Sequence, residues 1–362
     1  LGKAKLFSKF DLKSGFWQLG VDPPDRYKTA FCIPTGQYQW TVLPFGLKVA
    51  PSLFQKAMIR IFEPILHNAL VYIDDILLFS ETKDDHRLLL QGFLELAKRH
   101  GVMLSDKKST IGTSDIEFLG MKISKGTYQP GAHLAEELKR FADENLTIKE
   151  IQQFLGIVNY LRDFIPDCSR HTSKLSKLLR KEPSPWTTDQ TTAVKKLKEV
   201  CQTLPPLRIP GSGRRILQTD ASNDYWGAVL LEEDNGKIHF CGHASGQFKD
   251  SEKHYHTVYK EILAVKNGIK KFEFHLIGHD FVIKLDNTSF PRIMELKGKG
   301  VPDKQLLRLN DWFSKYQFTV QHIKGKDNVV PDYLSRKSPI ATIKPQRNLV
   351  IFTVNSPRPP DA

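Results

Sequence analysis

Two adjacent aspartates, Asp74 and Asp75, interrupt an apolar run between Ala69 and Ser80. Such runs are typical of buried β-strands, and a carboxylate inside one is costly unless it is paired or binds a metal. A tight turn at the pair would present both carboxylates at the tip of a hairpin. The alternative is a hairpin whose turn merely uses aspartates, as turns often do.

An upstream aspartate, Asp11, favours the metal-binding interpretation. It ends a short apolar segment that is typical of a strand, and with Asp74 and Asp75 it makes three oxygen ligands. Mg²⁺ binds such carboxylates together with substrate phosphates. Two ions about 4 Å apart would clamp the attacking and leaving oxygens of a phosphoryl transfer.

A second acidic set lies in the last third of the chain. Its members occur in the contexts QTDAS, YKEIL, KLDN and PDYLSR, and they are Asp220, Glu261, Asp286 and Asp332. Two end predicted strands and two begin predicted helices, so in an α/β layout they would converge at one edge of the sheet. Together they could bind two Mg²⁺ ions for hydrolysis. Any one alone would be interpreted as a surface acid or a helix cap.

Apolar periodicity predicts the elements that position these acids. In the first third they are a hairpin of Thr29–Ile33 and Gln37–Val42, helices Leu53–Leu66 and Asp84–His100, and short strands Met103–Leu104 and Ile116–Ile123. After Gly126 the chain is predicted to be helical, and Thr147 with Glu150 forms the signature of a capping box. Beyond Gly213 strands alternate with helices, which favours an α/β domain.

The composition is that of a soluble globular protein of two or three domains. Of 362 residues, 53 are Lys or Arg and 40 are Asp or Glu, and the resulting net charge of +13 favours a polyanionic partner, most simply nucleic acid. Four scattered cysteines argue against a zinc site or a disulfide framework and fit a reducing compartment. No apolar run reaches membrane-spanning length, so no membrane partner is expected. The chain opens without an initiator Met or signal peptide, as if cut from something longer.

Several motifs together resemble a known family. FSKFDLKSGF, LPFGLKVAPSLFQ, YIDD and FLG occur in the order and spacing of a reverse transcriptase palm, and TDAS, KEIL, LDN and HIKGKDN…DYLSR follow in the order of ribonuclease H. Up to about Lys337 the chain resembles the reverse transcriptase–ribonuclease H region of a polyprotein, either of a pararetrovirus (caulimovirus-like) or of a gypsy-type long-terminal-repeat retroelement.

The resemblance implies a fold and a domain order. An α+β polymerase palm with truncated fingers would cover residues 1–126, and a helical thumb and connection residues 127–210. An α/β ribonuclease H-like domain would follow over 211–337, and residues 338–362 would be a flexible tail.

The resemblance also implies roles for individual residues. Asp11, Asp74 and Asp75 would be the polymerase metal ligands and Asp220, Glu261, Asp286 and Asp332 the nuclease ligands. The nucleotide and template would be contacted by Leu12 (through its carbonyl, a further metal ligand), Phe16, Phe45, Gly46 and Lys48. The primer end would be gripped by Phe118, Leu119, Gly120 and Met121. Phe16 would exclude a ribose 2′-hydroxyl group, and its alternative is a core phenylalanine.

The implied function is an RNA-directed DNA polymerase coupled to ribonuclease H. Each site would use two Mg²⁺ ions, with Mn²⁺ able to substitute, and the partners would be an RNA template, a DNA primer, the RNA–DNA hybrid and deoxynucleoside triphosphates. An intracellular location, in a cytoplasmic virus-like particle or the nucleus, is expected. Only ten residues precede Asp11, where the family has basic residues that hold the triphosphate. Two alternatives therefore stay open: a chain with ribonuclease H activity only, and a catalytically silent remnant that binds nucleic acid.

Overall fold

The computed structural model describes residues 1–287 and 304–335, with side chains from residue 307 onward in the second range. The chain divides into two compact units, Leu1–Gly131 and a second that begins at Ala132. In these described ranges no helix is long and apolar enough to cross a membrane. The predicted tail, 338–362, lies outside the described residues.

The first unit mixes strands and helices. Its elements in chain order are β1 (Leu6–Asp11), β2 (Phe31–Ile33), β3 (Gly36–Tyr38), α1 (Ala50–Phe62), β4 (Ala69–Tyr72), β5 (Asp75–Ser80), α2 (Lys83–Arg99), β6 (Thr110–Thr113), β7 (Asp115–Phe118), β8 (Met121–Ser124) and β9 (Thr127–Pro130). Antiparallel strands in the order β4-β5-β1-β6 form the main sheet. Strands β7, β8 and β9 form an antiparallel ladder, and β2 pairs with β3.

Both helices of the first unit cover one face of the main sheet. Phe54 and Phe62 of α1 and Phe93 of α2 pack with Phe10 of β1 and Ile76 of β5 in one buried cluster. Burying each such side chain is worth about 2 kcal/mol. The cluster therefore holds β1 and β5 side by side at the ends where their aspartates lie.

The predicted single strand Ile116–Ile123 is wrong. The chain instead turns at Leu119 and Gly120, whose φ angles are +48° and +71°, so that β7 and β8 form a tight hairpin. Consecutive positive φ angles suit the right-handed twist of a two-residue hairpin turn, and glycine adopts them without strain. Apolar residues alternate within each strand (Ile116 and Phe118, then Met121 and Ile123), and the apolar Leu119 at the turn makes the segment resemble one continuous strand.

The second unit has a helical part followed by a sheet with helices. Its elements are α3 (Ala132–Lys139), α4 (Ile148–Tyr160), α5 (Cys168–Ser176), α6 (Thr188–Cys201), β10 (Leu207–Arg208), β11 (Arg214–Ala221), β12 (Tyr225–Asp234), β13 (Lys237–Gln247), α7 (Thr257–Lys271), α8 (Glu273–Leu276), β14 (Phe281–Leu285), α9 (Lys304–Phe313), β15 (Phe318–His322) and α10 (Val329–Ser335). The predicted capping box of Thr147 and Glu150 begins α4. Residues 127–130, predicted to be helical, form β9 because they pair with β8.

The sheet of the second unit has the order β13-β12-β11-β14-β15. Strands β11, β14 and β15 are parallel, β12 runs antiparallel to β11, and β13 runs antiparallel to β12. One face buries Ile262, Val265 and Ile269 of α7. The other face packs against Leu334 of α10. Because β11 and β14 are parallel, their carboxyl ends lie at the same edge of the sheet.

Candidate metal centres of the two units

The aspartate pair lies at the tip of the β4–β5 hairpin. Tyr72 pairs with Asp75, which leaves Ile73 and Asp74 as a two-residue turn. Asp75 is also paired with Asp11 of β1. Directly paired residues in an antiparallel ladder project to the same face about 5 Å apart. The sheet register therefore places Asp11 beside Asp75, and Asp74 lies in the adjoining turn.

Gln55 of α1 makes two hydrogen bonds to the backbone of this turn. Its side-chain Nε2 donates to the carbonyl oxygen of Val71 (2.8 Å), and its Oε1 accepts from the backbone N–H of Ile73 (2.6 Å). Ile73 has a φ of +51°, which is a strained conformation for a β-branched residue. Gln55 therefore stabilises a backbone conformation that the turn could not easily keep alone. It lies in the quoted segment LPFGLKVAPSLFQ, yet no local pattern indicated this role.

The carboxylate of Asp74 lies directly over the backbone of Gly15. A Cβ atom at position 15 would be 2.4 and 2.5 Å from the two carboxylate oxygens of Asp74, and Gly15 has a φ of +23°. Only glycine allows this approach. Oδ1 of Asp74 is buried and has no hydrogen-bond partner in the described part of the chain.

Burial and mutual repulsion both act on the carboxylates at this turn. Burial, and then the charges of Asp11 and Asp75, raises the pKa of Asp74. Burial and Asp11 likewise raise the pKa of Asp75. Lys108 partly balances the charge, because its Nζ lies 3.2 Å from Oδ2 of Asp11; the sequence analysis missed this residue. Three hard oxygen donors and an unsatisfied buried oxygen fit a divalent cation such as Mg²⁺.

Of the predicted nucleotide-contacting residues, Leu12 and Phe16 follow Asp11 closely in the chain, and Phe45 contacts Phe16. The backbone N–H of Leu12 donates to the carbonyl oxygen of Asp74 (2.9 Å). The ring of Phe16 lies 5.2 Å from that of Phe45 and 5.4 Å from that of Phe54, so Phe16 contacts both the exposed loop and the core. Phe45 and Gly46 line an open cavity of about 500 Å³ together with Trp17, Trp40 and Leu47. Lys48 is exposed.

The predicted primer-contacting residues form the β7–β8 hairpin tip. Phe118 pairs with Met121 across the turn, and Leu119 is exposed at its tip. The carbonyl oxygen of Gly120 accepts from the backbone N–H of Gly131 (3.0 Å). The hairpin is tied to β1, because Nζ of Lys9 donates to the carbonyl oxygen of Glu117 (3.1 Å).

Three of the four acids predicted in the second unit form a compact cluster. Asp220 lies near the end of β11, Glu261 in α7 and Asp286 just after β14. One carboxylate oxygen from each lies within 4.8 Å of the others. The parallel pairing of β11 and β14 places the two aspartates at one edge of the sheet, and the packing of α7 brings Glu261 to them.

The charge balance of this cluster also indicates a cation. Asp220 and Glu261 are buried, whereas Asp286 is exposed. Burial, with the charges of Asp220 and Asp286, raises the pKa of Glu261 to about 9. Its Oε2 is buried with no hydrogen-bond partner among the described residues. A divalent cation held by the three oxygens would offset the repulsion that raises this pKa.

The fourth predicted acid, Asp332, lies on α10 and does not belong to this three-carboxylate group. Two residues of this region contact the end of β11: Ser335 in α10 and Asn328 just before it. No sequence pattern had singled them out. Ser335 donates from its hydroxyl to Oδ2 of Asp220, and Nδ2 of Asn328 donates to the carbonyl oxygen of Thr219 (2.9 Å). Only the sequence segments GKDN and DYLSR as wholes had signalled this region.

Comparison with protein families identifies both units. Residues 1–123 match the family described as reverse transcriptase (RNA-dependent DNA polymerase). Residues 186–283 match the RNase H-like domain found in reverse transcriptase. The chain therefore carries a reverse transcriptase domain followed by an RNase H-like domain. Both families generally use divalent metal ions, in agreement with the carboxylate triad of the second unit.

Its sequence relatives are polyproteins of pararetroviruses. The chain is 60% identical over 336 residues to the genome polyprotein of Petunia vein clearing virus (isolate Shepherd), covering 93% of this chain and 15% of that protein. It is 43% identical over 342 residues to the enzymatic polyprotein of Cauliflower mosaic virus (strain D/H), covering 92% and 50%. The chain thus matches the reverse transcriptase–RNase H region of these viral polyproteins, which confirms the resemblance, and it spans half or less of the relatives it matches.

A solved structure confirms the fold class. The foamy viral protease-reverse transcriptase in complex with an RNA/DNA hybrid matches with a TM-score of 0.78 and 21% identity, over 94% of this chain and 46% of that one. The predicted order of an α+β polymerase fold, a helical segment and an α/β RNase H-like fold is therefore correct.

Proposed function

We propose that this chain copies an RNA template into DNA and degrades the RNA strand of the resulting hybrid. The first unit would extend a DNA primer with deoxynucleoside triphosphates, and the second would hydrolyse the RNA. The observation that carries the proposal is the convergence of acids from separate elements: Asp11 with Asp75 by register in one unit, and Asp220, Glu261 and Asp286 within 4.8 Å in the other.

In the first unit, Asp11, Asp74 and Asp75 would hold Mg²⁺. When bound, the metal activates the primer 3′-hydroxyl group and stabilises the departing pyrophosphate. Gln55 and Gly15 keep Asp74 in place, through the turn backbone and by close approach respectively. Phe16 and Phe45 would line the nucleotide-binding site, and the β7–β8 hairpin would contact the primer end.

In the second unit, Asp220, Glu261 and Asp286 would hold Mg²⁺ that activates a water molecule for hydrolysis. We retain Asp332 as a further ligand that would join when metal and hybrid are bound. The exposed side chain of Asp286 leaves the cluster open to a phosphate backbone. The RNA strand would be selected by its 2′-hydroxyl groups.

Charge supports nucleic acid as the partner. The net charge of +13 favours binding of a phosphate backbone. The foamy viral protein of similar fold is in complex with an RNA/DNA hybrid. We also propose that the helices between the two sites act as thumb and connection.

Two assays on the purified chain with Mg²⁺ test the proposal: primer extension on an RNA template, and cleavage of a labelled RNA–DNA hybrid. We expect Asp220→Asn to abolish cleavage and leave extension unchanged, and Asp74→Asn to do the reverse. Asp250→Asn, which alters an exposed acid paired with Lys253, should change neither. If folded protein shows no cleavage, or if Asp220→Asn cleaves normally, the nuclease assignment is refuted. Extension that survives Asp74→Asn would refute the polymerase assignment.

A further inference from the structure

The hydroxyl group of Ser335 donates a hydrogen bond to Oδ2 of Asp220. Both partners are buried: Ser335 is fully inaccessible and Asp220 is 6% exposed. They lie 115 residues apart in the sequence. Ser335 also contacts the carbonyl oxygen of Asp332 (3.0 Å), one turn earlier in α10. A single hydroxyl group thus joins a carboxylate of the metal cluster to the helix that carries the fourth predicted acid.

Helix α10 is seated tightly against β11 and β12. Asn328 is completely buried and donates to the carbonyl oxygen of Thr219, the residue before Asp220. At Gly227 of β12 a Cβ atom would lie only 2.5 Å from the carbonyl oxygen of Pro331, so the helix backbone touches the strand. The position of the Ser335 hydroxyl group is therefore fixed relative to β11.

A fixed donor at Oδ2 restricts the rotation of the Asp220 carboxylate. This restriction sets which oxygen Asp220 presents to Glu261 and Asp286, whose oxygens lie within 4.8 Å of it. Hydrogen-bond partners of ligating carboxylates orient the ligand, and their removal typically lowers metal affinity or activity about 10- to 100-fold.

We propose that Ser335 is a positioning residue of the metal site in the second unit. It orients Asp220 for the cation and does not touch substrate. The inference rests on the proposed nuclease function and deepens it, since it assigns to α10 a contribution that acts through Asp220.

The test measures metal binding directly. Mn²⁺ is titrated calorimetrically into the full chain carrying Asp11→Asn and Asp74→Asn, which removes the first unit's site. Ser335→Ala should weaken Mn²⁺ binding about 10-fold. In chains with an intact first unit it should raise the half-saturating Mg²⁺ concentration for hybrid cleavage by a similar factor, while KM for the hybrid stays within twofold.

Ser176→Ala is the matched control. It removes a helical serine hydroxyl group that donates to the carbonyl oxygen of Thr172 (2.9 Å) and not to a carboxylate, so Mn²⁺ binding should not change. If Ser335→Ala does not fold, Ser335→Cys replaces it, since a thiol fills the position but is a weak donor; a loss of at least about threefold is then expected.

Two results overturn the inference. One is Mn²⁺ binding within twofold of the parent chain in a folded Ser335 variant. The other is an equal loss in Ser176→Ala, which would indicate a general effect of serine removal. The failure of the proposed function looks different, because then Asp220→Asn itself would leave cleavage and Mn²⁺ binding unchanged.

Discussion

Replacing Gly15 with alanine should selectively disable the first unit. The new methyl group would be placed 2.4 Å from Oδ1, 2.5 Å from Oδ2 and 2.7 Å from Cγ of Asp74. Carbon atoms approach others comfortably at about 3.5 Å, so the Asp74 carboxylate would have to move by about 1 Å. The φ of +23° at this position adds backbone strain for any residue other than glycine.

The expected loss follows from this displacement. A misplacement of about 1 Å at a reacting site typically costs about 100-fold in rate, which corresponds to about 2.7 kcal/mol of activation free energy. Because the displaced oxygens belong to a proposed metal ligand, the loss should be in kcat more than in KM for the deoxynucleotide.

Primer extension by the full chain measures this effect, and hybrid cleavage by the second unit of the same molecules reports whether the protein is folded and correctly quantified. Gly20→Ala is the control, since no described atom lies within 4 Å of a Cβ atom placed there. Extension by Gly15→Ala within about threefold of the parent chain, with cleavage intact, would refute the idea that Asp74 must keep this position. Equal losses in both alanine variants would refute it as well.

Three further predictions concern other buried groups. Gln55→Ala leaves the N–H of Ile73 without its acceptor, so it should lower the free energy of unfolding, measured in urea titrations, by about 1–3 kcal/mol. It should also slow primer extension without affecting hybrid cleavage. A variant that extends primers at the parental rate would contradict this role. The pKa of Glu261 is about 9 in the folded state, above the unfolded value near 4.5. Between these pH values the folded state therefore binds more protons than the unfolded state. The stability of the metal-free protein should thus fall as the pH rises through this range. Glu261→Gln should therefore raise Tm in EDTA at pH 8 while abolishing cleavage, and a lowered Tm would contradict the sign. Burial lowers the pKa of His86, so the unfolded chain binds protons more readily and stability should decrease below about pH 6.5. His86→Gln should therefore flatten the dependence of Tm on pH between 7 and 5. An unchanged slope would count against this role of His86.

Local sequence signals predicted elements well where one pattern governs one element. The strand that ends at Asp11 and the capping box of Thr147 and Glu150 are present as predicted, because apolar periodicity and capping signals act within a few positions. The hairpin at Leu119 and Gly120 was missed for the complementary reason. A two-residue turn leaves the alternation of apolar residues intact on both sides, so only the strand pairing reveals it.

The candidate sites show the same contrast between residues that local patterns indicate and residues that meet only in the folded chain. Their acids were predicted from the residue type and the neighbouring sequence: Asp74 and Asp75 lie between apolar runs, and Asp220 and Asp286 lie at strand ends. The partners that hold these acids were not predicted. Lys108 reaches Asp11 across 97 residues, and no spacing rule relates residues that meet only after the sheet has formed.

The sequence alone indicated which residues are the candidate metal ligands, because carboxylates within apolar strands are costly without a cation and therefore stand out. It also determined the family, through ordered motifs. The tertiary structure alone decided how each carboxylate is oriented: the register that opposes Asp11 to Asp75, the glycine contact beneath Asp74, and the serine that holds Asp220. These contacts depend on strand register and helix packing, which are set by the whole core of each unit rather than by neighbouring residues.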